Sequence, residues 1–189
     1  MARRPDATAP KVRIEVAGPQ QWSALETLFE GRDGPHHCWC MVWRDMPTAE
    51  RRDKTKKKSA FKARVDASVP VGLLAFADGA PVGWCAVGPR QTVPRLTKDR
   101  DPAPSDTVWT ISCFFVQRAS RASGITALLI DGALAYTRES GAAAIEAYPV
   151  SDDAPSYRFL GFVKHFARAG FTETGRHGRH RHIMRRELA

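Results

Sequence analysis

The chain has 189 residues, of which 43% are hydrophobic and 26% charged, and its formal net charge at pH 7 is +9. This length fits one domain with a core of ordinary size, and the composition excludes disordered, collagen-like and disulfide-framework proteins. No apolar run approaches the roughly 20 residues that cross a bilayer, and residues 1–10 lack the apolar core of a signal peptide. We expect a cytoplasmic protein with a flexible arm over 1–10 and a single domain over 11–189.

The positive charge and the cysteines limit the ligands and the redox state that we expect. The charge attracts anions, which include the phosphates of a nucleotide cofactor, an acidic substrate and nucleic acid. Much of it lies in 51–64 and 176–186, which we interpret as a solvated helix face and a polar chain end. The cysteines are too few and too scattered for a secreted framework, so we expect reduced thiols at Cys38, Cys40, Cys85 and Cys113.

The first elements in chain order are a strand and a helix. Residues 12–16 alternate apolar and polar side chains as a half-buried strand does, and the Gly-Pro pair at 18–19 ends that strand. Large apolar residues recur at helical spacing over 22–29, and 31–35 break this helix. The next segment, 36–44, is rich in His, Cys and Trp, and its pattern fits a loop and a short helix equally.

A basic helix and a hairpin follow. Thr48 is placed to cap a helix that ends near Ala67, with Phe61 and Val65 as its buried contacts. The Asp-Gly pair at 78–79 lies between two apolar runs. This pair predicts a tight hairpin, because both turn positions need a positive φ.

The second half of the chain contains the longest predicted strand. Residues 88–106 are rich in Pro, Arg and Asp without periodicity, which indicates a long functional loop. A buried strand follows over 108–116, then a turn of small residues over 121–126 and a helix that Gly141 ends as a C-cap. The apolar face of this helix is formed by Ile125, Leu128, Leu129, Gly132, Ala133 and Tyr136. The remaining predicted elements are a strand at 143–148, a helix at 155–169 and a closing pair of strands at 171–174 and 182–186.

The turn over 121–126 has the chemistry of a phosphate site. A strand that enters a short turn of small residues and then a helix presents unpaired backbone N–H groups at the positive end of the helix dipole. Only Gly124 is present where the dinucleotide fingerprint needs three glycines, and no Gly-Lys-Ser/Thr follows as in a P-loop. Those two nucleotide-binding classes are excluded.

Residues 114–129 resemble the signature segment of the GNAT superfamily of acyl-CoA-dependent N-acyltransferases. That family's pattern is Arg/Gln-x-x-Gly-x-Gly/Ala, and Arg121, Gly124 and Thr126 fall on its defining positions, although Thr126 departs from the usual Gly or Ala. The order of the elements and the ending Phe-x-x-x-Gly-Phe over 166–171 also resemble this family. The resemblance covers about residues 11–187.

The resemblance implies an α/β fold of mixed α+β type. Its central sheet is twisted, mostly antiparallel, split between the fourth and fifth strands, and flanked by about four helices. It also implies that acetyl-CoA is the acyl donor. The residues that would bind acetyl-CoA are Phe114, Phe115, Val116, Arg121, Ala122, Ser123, Gly124, Ile125 and Thr126.

The acceptor that the resemblance implies is an amine, and its chemistry needs a base and an acid. A Lys-like amine has a pKa of about 10.4, so a proton must leave before attack. Glu146 is the candidate base because it alternates with apolar neighbours and can face the split; a solvent-facing carboxylate is the simpler alternative, and His165 is a second candidate. Tyr157 is the candidate acid for the departing thiolate, with helix capping, or Phe159 at the usual site, as alternatives.

The segment 36–44 invites two interpretations. His and Cys can bind zinc, but Cys-x-Cys is not the usual spacing and no second cysteine pair follows, so we expect no metal. An acceptor pocket fits better, because aromatic walls with one charged group are typical of such sites. The predicted pocket residues, for which a core position is the alternative, are Trp39, Trp43, Arg44 and Trp84.

Three functions stay open. The preferred one is acetylation of a small-molecule amine by direct attack in a ternary complex, carried out by a monomer or homodimer. The basic stretch 51–64 suggests a rival macromolecular acceptor, a protein amine or an aminoacyl-tRNA, so nucleic acid is a possible partner that we do not favour; no membrane partner is expected. The third function is a non-catalytic acyl-CoA sensor or nucleic-acid-binding module that has kept the fold.

Overall fold

The computed structural model describes residues 11–97 and 107–188. The predicted flexible arm over 1–10 lies outside these residues. So does the stretch 98–106 of the predicted loop. The strands are β1 (Val12–Val16), β2 (Leu73–Ala77), β3 (Ala80–Pro89), β4 (Val108–Val116), β5 (Ala144–Ala147), β6 (Thr172–His177) and β7 (Arg181–Glu187). The α-helices are α1 (Trp22–Glu30), α2 (Lys54–Asp66), α3 (Pro94–Thr97), α4 (Ile125–Glu139) and α5 (Val163–Arg168).

The described strands form one mixed sheet in the order β1-β2-β3-β4-β5-β7-β6. The neighbours β4 and β5 run parallel, and all other paired strands run antiparallel. The predicted α/β class with a mostly antiparallel sheet is confirmed. The crossover that a parallel pair requires is α4, which connects β4 to β5.

The sheet splits where β4 and β5 part. Their pairing begins at Val108 opposite Ala144 and ends at Ile111 opposite Ala147, although β4 continues to Val116. On its other edge β4 changes register with β3 around Ser112, as a β-bulge does. A bulge bends its strand. The bend therefore lies where β4 leaves β5, and the predicted split between the fourth and fifth strands is confirmed.

The hairpin between β2 and β3 turns at the predicted Asp-Gly pair. Asp78 and Gly79 have φ values of 49° and 84°, as a two-residue turn of this handedness requires. Ala77 and Ala80 pair directly across the turn. This part of the fold follows from local sequence alone.

Helices cover both faces of the sheet. Adjacent residues of β2 enter different cores: Leu73 packs with α4 residues, and Leu74 packs with residues of α1 and α2. Side chains alternate across a strand, so these cores lie on opposite faces. The sheet is thus the middle of three layers.

The basic helix α2 begins later than predicted. Thr48 lies in a separate 3-10 turn, Thr48–Glu50, and does not cap α2. The cap is Asp53, whose carboxylate accepts hydrogen bonds from the backbone N–H groups of Thr55 (2.7 Å) and Lys56 (3.1 Å). A carboxylate satisfies the free N–H groups of a first helical turn and interacts favourably with the helix dipole.

The buried face of α4 is rotated from the predicted one. Leu128 is 41% exposed and Tyr136 only partly buried. Gly132 faces β1 as expected, because a Cβ there would lie 2.8 Å from Ile14 Cγ2. The helix packs on the sheet mainly through two rows of residues, which are Ile125, Leu129, Ala133 and Thr137 in one row and Ile130 and Leu134 in the other.

The predicted helix over 155–169 is two shorter elements. A 3-10 turn, Arg158–Leu160, is separated from α5 by Gly161, whose φ of +85° breaks the helical path. The end of α5 follows the sequence pattern closely. Phe171 N–H donates to the Phe166 carbonyl (3.0 Å) while Gly170 has a φ of +78°. This Schellman ending explains the Phe-x-x-x-Gly-Phe spacing physically.

Candidate active site

A cleft of about 500 Å³ opens at the split in the sheet. One wall is the end of β4 and the start of α4, and the other is the segment from Arg158 to α5. The lining residues are Phe114, Phe115, Val116, Arg121, Thr126, Arg158, Phe159, Gly161, Phe162 and His165. Five of the nine predicted cofactor residues therefore line one cavity.

The β4 wall presents an open strand edge. Phe114, Phe115 and Val116 pair with β3 on one side, whereas β5 ends before it reaches them on the other. An unpaired strand edge exposes backbone N–H and C=O groups that an extended ligand can use. Arg121 closes the end of this edge, because its Nε donates to the Val116 carbonyl (3.2 Å).

The turn before α4 is built around Gly124. Gly124 is the N-cap of α4 with a φ of +82°, and a Cβ placed there would meet nothing within 4 Å. Within the described ranges, the backbone N–H groups of residues 123–126 donate to no backbone carbonyl. Such free N–H groups at the positive end of a 15-residue helix form an anion-binding arrangement. Ala122, Ser123 and Ile125, which are absent from the cleft wall, belong to this turn.

Positive charge flanks the cleft on both walls. Arg121 and Arg158 line it from opposite sides, and the Arg158 guanidinium lies 4.9 Å from the centre of the Phe162 ring. Burial lowers the pKa of His165, and the neighbouring Lys164 and Arg168 lower it further. His165 is therefore neutral at pH 7 and can accept a proton.

A second cavity of about 320 Å³ adjoins the cleft. The two share four wall residues, which are Phe114, Phe115, Arg121 and Phe159. The rest of the second wall comes from segment 31–43 and β4, namely Asp33, Pro35, Cys38, Cys40, Val42, Trp43 and Cys113. The cavity is therefore mainly apolar and opens onto the same strand end as the cleft.

Only one of the four predicted acceptor residues lines this second cavity. Trp43 does, whereas Trp39 is 2% exposed and stacks on Trp22 with ring centres 5.6 Å apart. Trp84 is fully buried, and Arg44 is buried with its Nη2 donating to the Val71 carbonyl (2.9 Å). The prediction for these three residues is corrected: they form the core beneath the cavity, where Trp39 and Trp84 pack with Phe29 of α1 and Phe61 of α2, and Arg44 lies over the Phe61 ring.

Tyr157 lies beside the second cavity, outside its wall. Its φ is +59° and its side chain is 44% exposed. The ring stacks on Trp43 at 5.9 Å and contacts Phe159 at 5.9 Å, and the Arg181 guanidinium lies 4.9 Å from its centre. It precedes the Arg158–Leu160 turn as its N-cap residue but makes no capping hydrogen bond with its side chain.

Glu146 does not face the cleft, so the expected orientation of this residue is corrected. Its side chain is fully buried, forms ion pairs with Arg90 (3.6 Å) and Arg185 (3.3 Å), and accepts a hydrogen bond from the Tyr148 hydroxyl (3.0 Å). A carboxylate held by two cations is stabilised in its charged form and is a weak base. All four residues of β5 are buried, so both faces of the strand are covered and alternation along it does not place Glu146 in the cleft.

Sequence reasoning missed the wall opposite β4. Arg158, Gly161 and Phe162 line the cleft, and Cys113 lines the second cavity. The sequence contains no local signal for Arg158, Gly161 and Phe162, because they approach β4 only in the folded chain. Cys113 lies on β4 itself, and only folding brings segment 31–43 against it. Among the described residues no group of three or more His, Cys, Asp or Glu is arranged to hold a metal ion.

Comparison with known proteins identifies the family. The model of the acetyltransferase (GNAT) family matches residues 26–162. The chain therefore belongs to this family and is an acyltransferase. A search of curated proteins gives no significant match.

Solved structures of similar fold agree with this assignment. The Salmonella typhimurium protein yncA, solved with its cofactor acetyl-CoA, is 18% identical over 95% of both chains with a TM-score of 0.59. An N-acetyltransferase of Staphylococcus aureus Mu50 is 13% identical over 95% of this chain and 99% of its own, with a TM-score of 0.59. A ribosomal-protein-alanine N-acetyltransferase of Brucella melitensis is 18% identical over 93% and 99%, with a TM-score of 0.58.

The location of the protein is a separate question. Of the helices in the described ranges, none has both the length and the apolar character that spanning a membrane requires. The cytoplasmic location and the oligomeric state stay predictions.

Proposed function

We propose that this protein transfers an acetyl group from acetyl-CoA to a primary amine of a small molecule, by direct attack in a ternary complex. The observation that carries the proposal is that the cleft and the second cavity meet at Phe114 and Phe115, on the open edge of β4. Donor and acceptor thus have separate binding spaces that join at one strand end. Positioning two reactants in this way removes much of the entropic barrier to their reaction.

The donor is assigned to the cleft. The CoA diphosphate would bind the free N–H groups of residues 123–126, with added attraction from Arg121. The pantetheine arm would lie along the open edge of residues 114–116. The Thr126 hydroxyl, which replaces the family's Gly or Ala, lines the cleft and is available as a further hydrogen-bond donor. Acetyl-CoA in the yncA structure supports this choice of donor.

The reaction is attack of the amine nitrogen on the thioester carbon. The N–C bond forms as the carbonyl becomes an oxyanion, which a backbone N–H of Phe114 or Phe115 would stabilise. The C–S bond then breaks and the CoA thiolate needs a proton. Tyr157 is our candidate donor, since its ring contacts Phe159, which lines both cavities, and Trp43, which lines the second.

The amine must lose a proton before it attacks. At neutral pH the protonated form of an amine with a pKa of about 10.4 exceeds the neutral form about a thousandfold. We assign the base to His165, which would take the proton through water, because it lines the adjoining cleft and its lowered pKa keeps it neutral. Glu146 is assigned a structural role in its ion pairs.

The acceptor is assigned to the second cavity. Its volume and its mostly apolar wall favour a small amine with an apolar body. Asp33 is the carboxylate in this wall, and its exposed side chain would attract an ammonium group. The acceptor would enter past Asp33 with its nitrogen towards Phe114.

A macromolecular acceptor is less well supported. The lysines of α2 are partly neutralised by neighbouring carboxylates: Lys58 pairs with Glu26 (2.5 Å) and Glu30 (2.7 Å), and Lys62 pairs with Asp66 (2.7 Å). This reduces the positive field that a nucleic acid would meet.

A thiol-release assay with acetyl-CoA and a panel of amines tests the proposal. We expect turnover with small apolar amines and little with polyamines or peptides. Release only with aminoacyl-tRNA, falling steeply as salt is raised, would favour a nucleic-acid acceptor. Binding of acetyl-CoA in calorimetry without release for any amine would identify a sensor.

A further inference from the structure

The wall of the second cavity contains thiols that the proposed acetyl transfer does not use. Cys38, Cys40 and Cys113 line it, and Cys40 and Cys113 are each 8% exposed. Cys40 follows Trp39 in a rare backbone conformation, with φ values of 53° and 44°. Two successive non-glycine residues with positive φ persist only when packing holds them. Here the stacking of Trp39 fixes this turn and places the Cys40 sulfur within 3.4 Å of Trp84 Nε1, which donates to it.

A buried cation lies next to this sulfur. Arg44 is 1% exposed, and in the described part of the chain its Nε and Nη1 have no hydrogen-bond partner. A guanidinium keeps its proton in proteins, and a buried charge without a counter-charge is strongly unfavourable. Burial lowers the pKa of Arg44, and attraction to the Cys40 sulfur opposes that effect. A thiolate at Cys40 would supply this counter-charge.

The surroundings of Cys40 agree with a thiolate. A hydrogen bond from the Cys113 thiol lowers the pKa of Cys40 to about 6, and Arg44 and the Trp84 N–H lower it further against the effect of burial. The titratable groups that face Cys40 are Arg44 and Cys38 from its own segment, Cys85 of β3 and Cys113 of β4. The positive charge of Arg64 of α2 repels that of Arg44.

The other cysteines are thiols. Burial raises the pKa of Cys38 and of Cys85, and the hydrogen bond to Cys40 raises the pKa of Cys113. Only one of the four cysteines thus has the form that attacks carbon electrophiles.

We propose that Cys40 is a thiolate nucleophile in the wall of the second cavity and a modification site for small carbon electrophiles that enter this cavity. With a haloacetamide the sulfur forms a bond to the methylene carbon as the carbon–halogen bond breaks and halide leaves. With an α,β-unsaturated carbonyl compound the sulfur adds to the β-carbon, and the α-carbon takes a proton from water. The adduct occupies the cavity; its effect on acetyl transfer rests on the proposed function.

Alkylation of the folded protein with iodoacetamide, followed by peptide mapping in a mass spectrometer, tests this proposal. At pH 7 we expect a single label at Cys40 in the wild type and in Cys38→Ser, and none in Cys40→Ser under the same conditions. The labelling rate should rise with pH through a midpoint well below that of a free thiol, which is about 8.5. Urea-unfolded protein, in which all four cysteines react, is the reagent control.

Arg44→Met separates the thiolate from a merely accessible thiol. This variant removes the counter-charge while leaving a neutral thiol, so the midpoint of the labelling profile should move up by one unit or more. Trp84→Phe, which removes the N–H donor, gives a smaller shift in the same direction and serves if Arg44→Met does not fold. Labelling at Cys38 first, or a Cys40 midpoint at or above that of a free thiol, overturns the proposal.

A second readout distinguishes this proposal from the proposed function. Labelled protein should bind acetyl-CoA in calorimetry as before, because Cys40 does not line the cleft, and should lose turnover at least tenfold. A clean Cys40 label with unchanged turnover would leave the thiolate established and would remove the second cavity as the acceptor site.

Discussion

The cleft and the second cavity share a strand end but arise in different ways. On its β4 side the cleft is made by one continuous run, from the end of β4 to the first turn of α4, in which strand, turn and helix follow in sequence. The second cavity combines residues from segment 31–43, β4 and the Arg158–Leu160 turn, which are far apart in the chain. A binding site made of local backbone can be recognised from spacing, whereas a site made of distant side chains depends on how they pack.

Trp84→Ala and Trp43→Ala should show the largest difference between a core residue and a residue of the cavity wall. Trp84 is fully buried and touches Phe29 and Phe61 edge-on, so its removal should lower the free energy of unfolding by about 3–5 kcal/mol. Trp43 is partly exposed and lines the cavity, so its removal should raise the KM for the amine about tenfold at a smaller cost in stability. Urea unfolding and steady-state kinetics measure the two effects. Equal destabilisation by both variants would contradict the division between core and wall.

Glu146→Gln tests whether Glu146 stabilises the fold through its buried ion pairs. The change leaves Arg90 and Arg185 facing a neutral amide in a buried site, which should cost about 3 kcal/mol of stability. Glu187→Gln is the matched control, since Glu187 also pairs with Arg185 (2.6 Å) but is exposed, and it should change stability by less than about 0.5 kcal/mol. Thermal and urea unfolding report both. A stable Glu146→Gln with turnover lost would instead restore Glu146 as the base.

Gly124→Asp tests the cleft, whose β4 side is made of one continuous run of backbone. The carboxylate would lie where the diphosphate binds, and the Kd for acetyl-CoA should rise about 100-fold, or about 2.7 kcal/mol. Gly141→Asp is the control: Gly141 lies at the other end of α4 with a φ of +76° and, like Gly124, open space around a Cβ. It should keep the wild-type Kd in calorimetry. Similar losses in both variants would show that helix stability, not the anion site, was affected.

Tyr157→Phe is expected to give the smallest change. If the hydroxyl protonates the CoA thiolate, turnover should fall about tenfold while the Kd for acetyl-CoA stays the same, since general acids act on the transition state. Tyr136→Phe is the control, because Tyr136 packs edge-on against Trp109 (5.1 Å) away from both cavities. An unaltered rate for Tyr157→Phe removes this residue from the mechanism.

Part of the site was predictable, for physical reasons that can be named. The positive φ of Gly124 and of the Asp-Gly turn at 78–79 are requirements of local backbone geometry, so residue type alone indicates them. The roles of Trp39, Arg44 and Glu146 were not predictable in this way. A Trp in a wall and a Trp in a core have the same local sequence signal, and an ion pair such as Glu146 with Arg185 joins residues on different strands.

The sequence by itself determined the order of the main strands and helices, the hairpin, the turn at Gly124 and the family, because each rests on short-range spacing and backbone preference. Only the tertiary structure decided where β4 leaves β5, which side chains close the two cavities, and that Arg44 and Cys40 lie side by side in the core. These follow from long-range packing, in which burial and charge compensation between distant residues outweigh local preference.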